Sequence, residues 1–162
     1  MTCIAWDGHV LAADRQATLD GTKREVCKLQ DLQAAATVDN EFPAGRIFVT
    51  ATGDRECGLD LAKWVVGGED PGRWPTYQKN DSFNTLIVVR LDRKFQPTLY
   101  MYEAQPYRQT LAIDQPFAWG IDGRLALAAI AGGATAAHAV YIASQISIYS
   151  GLGVDTLAVS AL

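Results

Sequence analysis

Thr2 has the chemistry of a nucleophile that carries its own base. Removal of an initiator methionine is expected before a residue as small as Thr2, and it would leave one residue with both a hydroxyl and a free α-amine. A threonine hydroxyl is weak at its own pKa, and an α-amine with an ordinary pKa of about 8 can accept its proton. The chain has two histidines, His9 in the predicted first hairpin and His138 in a predicted apolar helix, and these positions argue against a Ser-His-Asp triad. Threonine is also a common second residue without any catalytic role, so the residues near Thr2 must show whether it is a nucleophile.

The first predicted hairpin brings an acidic residue close to Thr2. Its strands and turn are Thr2–Trp6, Asp7-Gly8 and His9–Ala13. Asp-Gly is a pair that suits a two-residue type I′ turn. A regular ladder then pairs Trp6 with His9 and sets Thr2 opposite Ala13, next to Asp14. Because successive side chains point to opposite faces of a strand, Asp14 reaches Thr2 only if the strand bends at its end.

The other elements follow from apolar periodicity. Short apolar runs predict strands at Val26–Leu29, Ala34–Val38, Ile47–Ala51, Asn84–Val89, Thr98–Tyr102, Phe117–Trp119 and Thr156–Val159. Helical spacing predicts one helix between Gly53 and Gly67-Gly68, a second over Asp122–Ala131, and a third that runs to Ile146 behind a Thr135 cap. The segment Glu69–Ser82 is predicted to be a loop.

This order of elements predicts an α+β fold. Strands and helices occur in separate groups, which favours antiparallel sheets covered by helices over alternating βαβ units. A four-layer αββα sandwich accommodates the order. No linker or repeat interrupts residues 1–162, and we therefore expect a single domain.

The composition excludes several classes of partner. A formal charge of -4, a pI near 5.0 and the absence of a Lys/Arg block argue against nucleic acid, which requires a clustered basic surface. The apolar segment Leu125–Ile130 soon meets Gly132 and Gly133, well short of the ~20 apolar residues of a membrane span. Three cysteines without a C-x-x-C pair fit a reducing compartment, each as a small buried hydrophobe. We expect a cytoplasmic protein without a secretory signal, and without membrane or nucleic-acid partners.

Several segments resemble one family of peptidases in order and approximate spacing. They are Thr2-Cys3-Ile4-Ala5, Asp14-Arg15-Gln16-Ala17-Thr18-Leu19, Val26-Cys27-Lys28-Leu29, Ala51-Thr52-Gly53-Asp54, Ala118-Trp119-Gly120-Ile121-Asp122-Gly123 and Ile146-Ser147-Ile148-Tyr149-Ser150. The chain thereby resembles the bacterial HslV peptidase and the proteasome β subunits, which are N-terminal-nucleophile hydrolases. That family begins with a threonine, places an aspartate after the second strand and carries a lysine in the next one.

The resemblance implies a threonine endopeptidase with an αββα sandwich. Its subunits would form stacked hexameric or heptameric rings with active sites that face an inner chamber. An AAA+ ATPase that unfolds polypeptide substrates is the implied partner. No cofactor is required, although a structural Na+ or Mg2+ ion is implied by position.

The resemblance also implies roles for individual residues. Thr2 would be the nucleophile and its amine the base, while Lys28 lowers the pKa of these groups and Asp14 holds Lys28. A backbone N–H near Thr52-Gly53 would bind the oxyanion. The residues implied to bind substrate are Thr18, by backbone hydrogen bonds, and Ala17, Val26 and Thr50 in the specificity pocket. The backbone carbonyls implied to bind the cation belong to Ser144, Ser147 and Ser150.

Two departures from the family pattern bear on activity. The family's Gly-Ser-Gly turn, whose serine assists the amine, here contains Ile121, which has no hydroxyl. Asp122 is the candidate substitute, although an acid beside the amine raises the amine's pKa. The second departure is Thr52, where the family has a glycine. The altered turn favours the betaproteobacterial proteasome homologue over HslV itself.

Two other functions stay open on the residues alone. Ile121 and Thr52 are also consistent with a ring subunit that has lost catalysis and acts structurally. A small-molecule amidohydrolase of the same fold could use Thr2 or Cys3 as nucleophile. The alternation along the strand points Cys3 away from the face of Thr2, which favours a buried thiol.

Overall fold

The structure of the chain is a computed structural model that describes residues 2–75 and 84–159. The described residues form two compact units, one of residues 2–29 with 113–159 and one of residues 30–75 with 84–112. Each contains an antiparallel sheet and at least one helix, in agreement with the predicted α+β class. The four-layer sandwich and the single domain over residues 1–162 stay predictions. The part of the predicted loop beyond residue 75, up to Ser82, lies outside the described residues.

The first unit is built on a four-stranded sheet with the order β10-β1-β2-β11. Its strands are β1 (Cys3–Trp6), β2 (Val10–Asp14), β10 (Phe117–Gly120) and β11 (Val154–Ala158). Two helices pack on it, α2 (Gly123–Ala131) and α3 (Ala136–Ile146). The small buried side chains of Ala126, Ala139 and Ala143 let these helices approach β1 and β2 closely. A separate hairpin of β3 (Gln16–Leu19) and β4 (Thr22–Glu25) follows β2.

The register of the first hairpin differs from the prediction by two residues. Trp6 pairs with Leu11, and Asp7 donates to the carbonyl of Val10, so the two turn residues are Gly8 and His9. Gly8 has φ +98°, the positive value that the first position of a type II′ turn requires. The carboxylate of Asp7 stabilises this turn from the residue before it, because it accepts the N–H groups of His9 and Val10. The predicted pairs of Trp6 with His9 and of Thr2 with Ala13 are therefore wrong.

The second unit is a five-stranded antiparallel sheet with the order β5-β6-β7-β8-β9. Its strands are β5 (Gln30–Ala34), β6 (Gly45–Ala51), β7 (Leu86–Leu91), β8 (Pro97–Tyr102) and β9 (Gln109–Leu111). Helix α1 (Arg55–Val66) is capped by Asp54, whose side chain accepts the N–H of Cys57, and Gly67 ends it as predicted. A 3₁₀ turn spans Pro71–Arg73. Leu61, Trp64 and Val65 bury the apolar face of α1 in the core of this unit.

The predicted strands at Val26–Leu29 and Ala34–Val38 are wrong. Residues 26–29 have no regular structure, and the strand in this region is Gln30–Ala34. The β3–β4 hairpin was missed, although Asp20 and Gly21 form its turn with φ of +50° and +75°, the two positive values of a type I′ turn. The other predicted strands and all three helices are confirmed within a few residues of their bounds. Of the cysteines, Cys27 is exposed and corrects the prediction that each is buried.

No helix in the described ranges has both the length and the apolar character needed to cross a bilayer.

Candidate active site

The structure brings Thr2, Asp14 and Lys28 together at one end of the first unit. Lys28 Nζ donates to Asp14 Oδ1 over 2.8 Å and to Thr2 Oγ1 over 3.3 Å. Thr2 is 5% exposed and Asp14 is fully buried. One ammonium group thus joins a buried carboxylate to the hydroxyl of the predicted nucleophile.

Asp14 is fully occupied as an acceptor. Besides Lys28, its Oδ1 accepts the N–H of Cys3 over 2.7 Å. Its Oδ2 accepts the N–H groups of Gln16 over 3.0 Å and Gly151 over 3.3 Å. Because Cys3 donates its backbone N–H to Asp14, the Asp14 carboxylate lies beside the first residues of the chain. The sequence predicts this proximity only if the strand bends at its end. Asp14 therefore holds Lys28 and the chain start in one place.

Burial lowers the pKa of Lys28, and the adjacent carboxylate of Asp14 opposes that shift. Lys28 lies in the irregular segment after β4, at Val26–Leu29, where the sequence predicts a strand. Val26 ties this segment to the residue between β2 and β3, because it donates its N–H to the carbonyl of Arg15 over 2.8 Å. An ammonium group at this distance favours the ionised form of the Thr2 hydroxyl, which is what a nucleophile needs.

Cys3 is poorly suited to act as a nucleophile. Burial, with the charges of Asp14 and Asp122, raises the pKa of its thiol to about 12. Its Sγ donates to the backbone carbonyl of Asp122 over 3.8 Å. Since the thiolate is the reactive form of cysteine, this side chain is a structural one, as the strand alternation predicts.

The turn from Gly120 to Asp122 lies against the backbone of Thr2. Gly120 pairs with Cys3 and has φ +89°. A Cβ atom at this position would stand 1.9 Å from the carbonyl oxygen of Thr2, so only glycine fits. Ile121 is 56% exposed, whereas Asp122 is 4% exposed. The position that carries the family's serine thus points an apolar side chain toward solvent, and the acid beside it is buried.

Three of the four predicted substrate-binding residues belong to the first unit. Ala17 and Thr18 lie on β3, where they pair with Arg24 and Lys23. Thr18 is exposed, while Ala17 and Val26 are half-buried. Thr50 belongs to the second unit, where its Oγ1 is buried and has no hydrogen-bond partner among the described residues.

The predicted oxyanion donors also belong to the second unit. The N–H of Thr52 donates to the carbonyl of Thr85 over 2.9 Å, and the Thr52 hydroxyl accepts the N–H of Thr85. The Thr52 amide is therefore already committed. Gly53 follows with φ +90° and an exposed backbone, and in the described part of the chain its N–H meets no acceptor. Of the two predicted oxyanion donors, Gly53 is therefore the one whose N–H could bind an oxyanion.

The predicted cation site spans the last turn of α3, which contains Ser144, and the segment after it, which contains Ser147 and Ser150. Ser144 Oγ donates to the carbonyl of Tyr141, and Ser147 Oγ accepts the N–H of Tyr149. These contacts fit the capping and turn roles of serine as well as a cation site. Within residues 2–75 and 84–159, no cluster of three His, Cys, Asp or Glu side chains could hold a metal ion. Coordination by backbone carbonyls stays a prediction.

Two buried polar residues lie near Asp14, and the sequence predicts neither the contact of Gln16 nor the burial of Ser150. Gln16 is buried and donates to the carbonyl of Ile148 over 3.0 Å, which ties β3 to the segment after α3. In that segment Ser150 is buried, and its Oγ has no partner among the described residues. The resemblance of Gln16-Ala17-Thr18 to the family pattern was the available signal for Gln16.

Neither protein-family models nor curated protein sequences match this chain. Solved structures do. HslV from Trypanosoma brucei is 18% identical with a TM-score of 0.62, over 96% of this chain and 97% of that one. BPH from Thiobacillus denitrificans in complex with epoxomicin is 18% identical with a TM-score of 0.63, over 99% and 100%. Anbu from Pseudomonas aeruginosa, described as a helical assembly, is 13% identical with a TM-score of 0.68, over 98% and 80%. The chain therefore has the fold shared by these proteasome-like structures.

Proposed function

We propose that this chain is a threonine peptidase subunit of a ring-forming protease, with Thr2 as its nucleophile after removal of Met1. The observation that carries the proposal is the position of Lys28, which donates to both the Thr2 hydroxyl and the buried Asp14. The fold supports the same proposal, because the structures of HslV and BPH match this chain over almost its whole length.

The proposed reaction begins when the α-amine of Thr2 accepts the proton of the Thr2 hydroxyl. The oxygen attacks the carbonyl carbon of a peptide bond, while Lys28 stabilises the developing alkoxide. The N–H of Gly53 is the proposed donor to the oxyanion. The C–N bond breaks as the α-ammonium returns its proton to the leaving amine, which leaves an ester on Thr2. Water, deprotonated by the same amine, then hydrolyses the ester.

The proposed setting is a cytoplasmic homo-oligomer of stacked hexameric or heptameric rings. Unfolded polypeptides are the proposed substrates, and an AAA+ ATPase is the proposed partner that delivers them. Ala17, Thr18, Val26 and Thr50 are the proposed substrate-binding residues. A structural Na+ or Mg2+ ion on the carbonyls of Ser144, Ser147 and Ser150 belongs to the same proposal.

The test compares the wild type with Thr2→Ala. We expect intact-mass spectrometry to show loss of Met1, and a fluorogenic peptide to be cleaved by the wild type but not by Thr2→Ala. The exposed Thr110 on β9 provides a matched control, since Thr110→Ala should retain full activity. Epoxomicin, which is bound to the neighbouring BPH structure, should add its mass to the peptide that begins at Thr2. Equal activity of Thr2→Ala and the wild type would refute the proposal.

A second candidate is a ring subunit without catalytic activity. Ile121 favours it, because an exposed apolar side chain stands where the family's serine assists the amine. This candidate expects rings in light scattering, no labelling by epoxomicin and no peptide cleavage. An amidohydrolase that uses Cys3 is disfavoured by the raised pKa of that thiol.

A further inference from the structure

Asp122 is a buried acid that stands apart from the other acids near Thr2 in its hydrogen bonding. Its Oδ2 is buried and has no hydrogen-bond partner in residues 2–75 and 84–159. It stands at the N-terminal end of α2, yet its side chain makes no capping hydrogen bond to that helix. Its backbone carbonyl is occupied instead, because it accepts the N–H groups of Leu125 and Ala126. A buried polar atom without a hydrogen-bond partner destabilises the folded state, so its presence here requires an explanation.

The contacts around Asp122 converge on the start of the chain. Its carbonyl accepts the thiol of Cys3, the residue directly after Thr2. The neighbouring Gly120 lies against the carbonyl of Thr2. The charge of Asp122 also acts on Lys28, whose Nζ contacts the Thr2 hydroxyl. The backbone of Asp122 therefore lies beside Cys3, and the residues around it contact the first residues of the chain.

The charges of this cluster do not balance. Asp14 and Asp122 supply two carboxylates, and Lys28 supplies one ammonium group. Asp14 has Lys28 and three backbone N–H groups, so the excess negative charge falls on Asp122. A buried carboxylate without a counter-charge is strongly destabilising. One additional cation beside Thr2 would balance the cluster.

We propose that Asp122 is the counter-charge of the α-ammonium group that removal of Met1 creates on Thr2, and that it sets the pH at which this amine becomes a base. The inference rests on the proposed removal of Met1. Asp122 is then a positioning residue, which acts on the reaction through the amine. It takes over the role of the family's serine, whose position Ile121 occupies here.

The direction of the pH effect follows from the sign of the charge. A carboxylate next to an amine stabilises the ammonium form and raises the pKa of the amine above its ordinary value of about 8. Only the neutral amine can accept the proton of Thr2. Activity should therefore rise with pH through the raised pKa, and Asp122→Asn should move this rise to lower pH by about 1 to 3 units.

Other titratable groups near Thr2 also influence the pKa of its α-amine, each in a direction set by its charge. Lys28 disfavours the ammonium form of the amine, and Asp14 favours it. Cys3 stays protonated because its thiol pKa is raised to about 12. The helices that pack on β1 and β2 carry Arg124 and His138, both at exposed positions. Of these groups, Asp122 is the carboxylate with an unpartnered oxygen.

The test measures the amine directly, apart from peptide cleavage. Cyanate carbamylates neutral amines, so its rate on Thr2 at different pH values, measured by peptide mass spectrometry, reports the pKa of the amine. We expect a wild-type pKa above about 8. Asp122→Asn should lower it, and Asp122→Glu should restore most of the shift. Asp155→Asn is the matched control, because Asp155 also has an unpartnered oxygen but is held by Arg15.

The outcomes separate this inference from the proposed function. A shifted amine pKa together with absent peptide cleavage supports the inference and refutes the peptidase. Peptide cleavage with the same amine pKa in the wild type and Asp122→Asn refutes the inference alone. Retention of Met1 in the purified protein overturns both. If Asp122→Asn does not fold, a wild-type amine pKa at or below about 8 still overturns the inference.

Discussion

The two units of the chain each bury a cluster of charges, and the clusters differ in how completely their groups are partnered. In the second unit, the two carboxylate oxygens of Glu69 accept hydrogen bonds from the side chains of Arg90, Tyr100, Tyr102 and Arg108. In the first unit, Lys28 pairs with Asp14, and the Oδ2 of Asp122 has no hydrogen-bond partner among the described residues. Similar burial thus produces one saturated cluster and one unsaturated cluster.

The Glu69 cluster has the properties of a structural device. Its arginines pack over aromatic rings, with Arg108 Cζ 4.7 Å from the ring centroid of Phe42. Glu69 has φ +62°, a strained value for a residue with a side chain, and its hydrogen bonds hold it there. Every polar group in such a cluster already has a partner, which leaves none for a substrate. The unpartnered oxygen of Asp122 distinguishes the cluster near Thr2 from this one, as expected for the proposed catalytic site.

The largest effect should come from Lys28→Met in the unsaturated cluster. We expect peptide cleavage to fall by about 10²- to 10⁴-fold, because the Thr2 hydroxyl loses the cation that promotes its ionisation. Stability should also fall, because the buried Asp14 loses its counter-charge, although it keeps three backbone N–H donors. Cleavage is therefore compared at a temperature at which circular dichroism shows both proteins folded. Lys63→Met, at an exposed ion pair with Asp60, is the matched control and should retain activity. Unchanged cleavage by Lys28→Met would contradict the assignment.

The saturated cluster should respond to Glu69→Gln in stability rather than in chemistry. Loss of the carboxylate leaves Arg90, which is almost fully buried, without a counter-charge. We expect the free energy of unfolding in urea to fall by about 3 to 5 kcal/mol. Asp31→Asn makes the same change at the exposed pair with Arg46 and should cost less than about 1 kcal/mol. Similar losses in both variants would show that the buried cluster has no special role.

The elements of this fold could be predicted from the sequence where burial and periodicity agree. Helix α1 is an example, because Leu61, Trp64 and Val65 follow helical spacing and Gly67 ends it. The Asp-Gly turns show where such reasoning stops. Asp20-Gly21 forms the type I′ turn, whereas Asp7 precedes the two turn residues of its hairpin and accepts the N–H of Ala136 over 2.7 Å. No local pattern reports a partner that distant.

The candidate site was predictable in its residues and less so in its details. Lys28 was assigned from the family resemblance, and the structure brings it to Thr2 although the predicted strand around it is wrong. The burial of Asp122 and the commitment of the Thr52 amide could not be predicted, because both depend on contacts between segments distant in the sequence. The sequence predicts a loop from Glu69 onward, but it does not predict the burial of Glu69, because its partners Arg90 and Arg108 are distant in the sequence.

The smallest effect should come from Tyr102→Phe, and its size should depend on pH. Tyr102 donates to Glu69, and loss of this bond to a charged group should cost about 1.5 to 3 kcal/mol near pH 8. Burial, followed by its bond to Glu69 and the charge of Glu69, raises the pKa of Tyr102 in the folded state. Above pH ~10 the unfolded tyrosine ionises while the folded one keeps its proton, so wild-type stability falls as pH rises. Phenylalanine has no such loss. The difference in unfolding free energy between the two proteins should therefore shrink by up to about 1.4 kcal/mol per pH unit above this point. A constant difference from pH 8 to pH 11 in urea titrations would mean that Tyr102 is not held protonated by the saturated cluster.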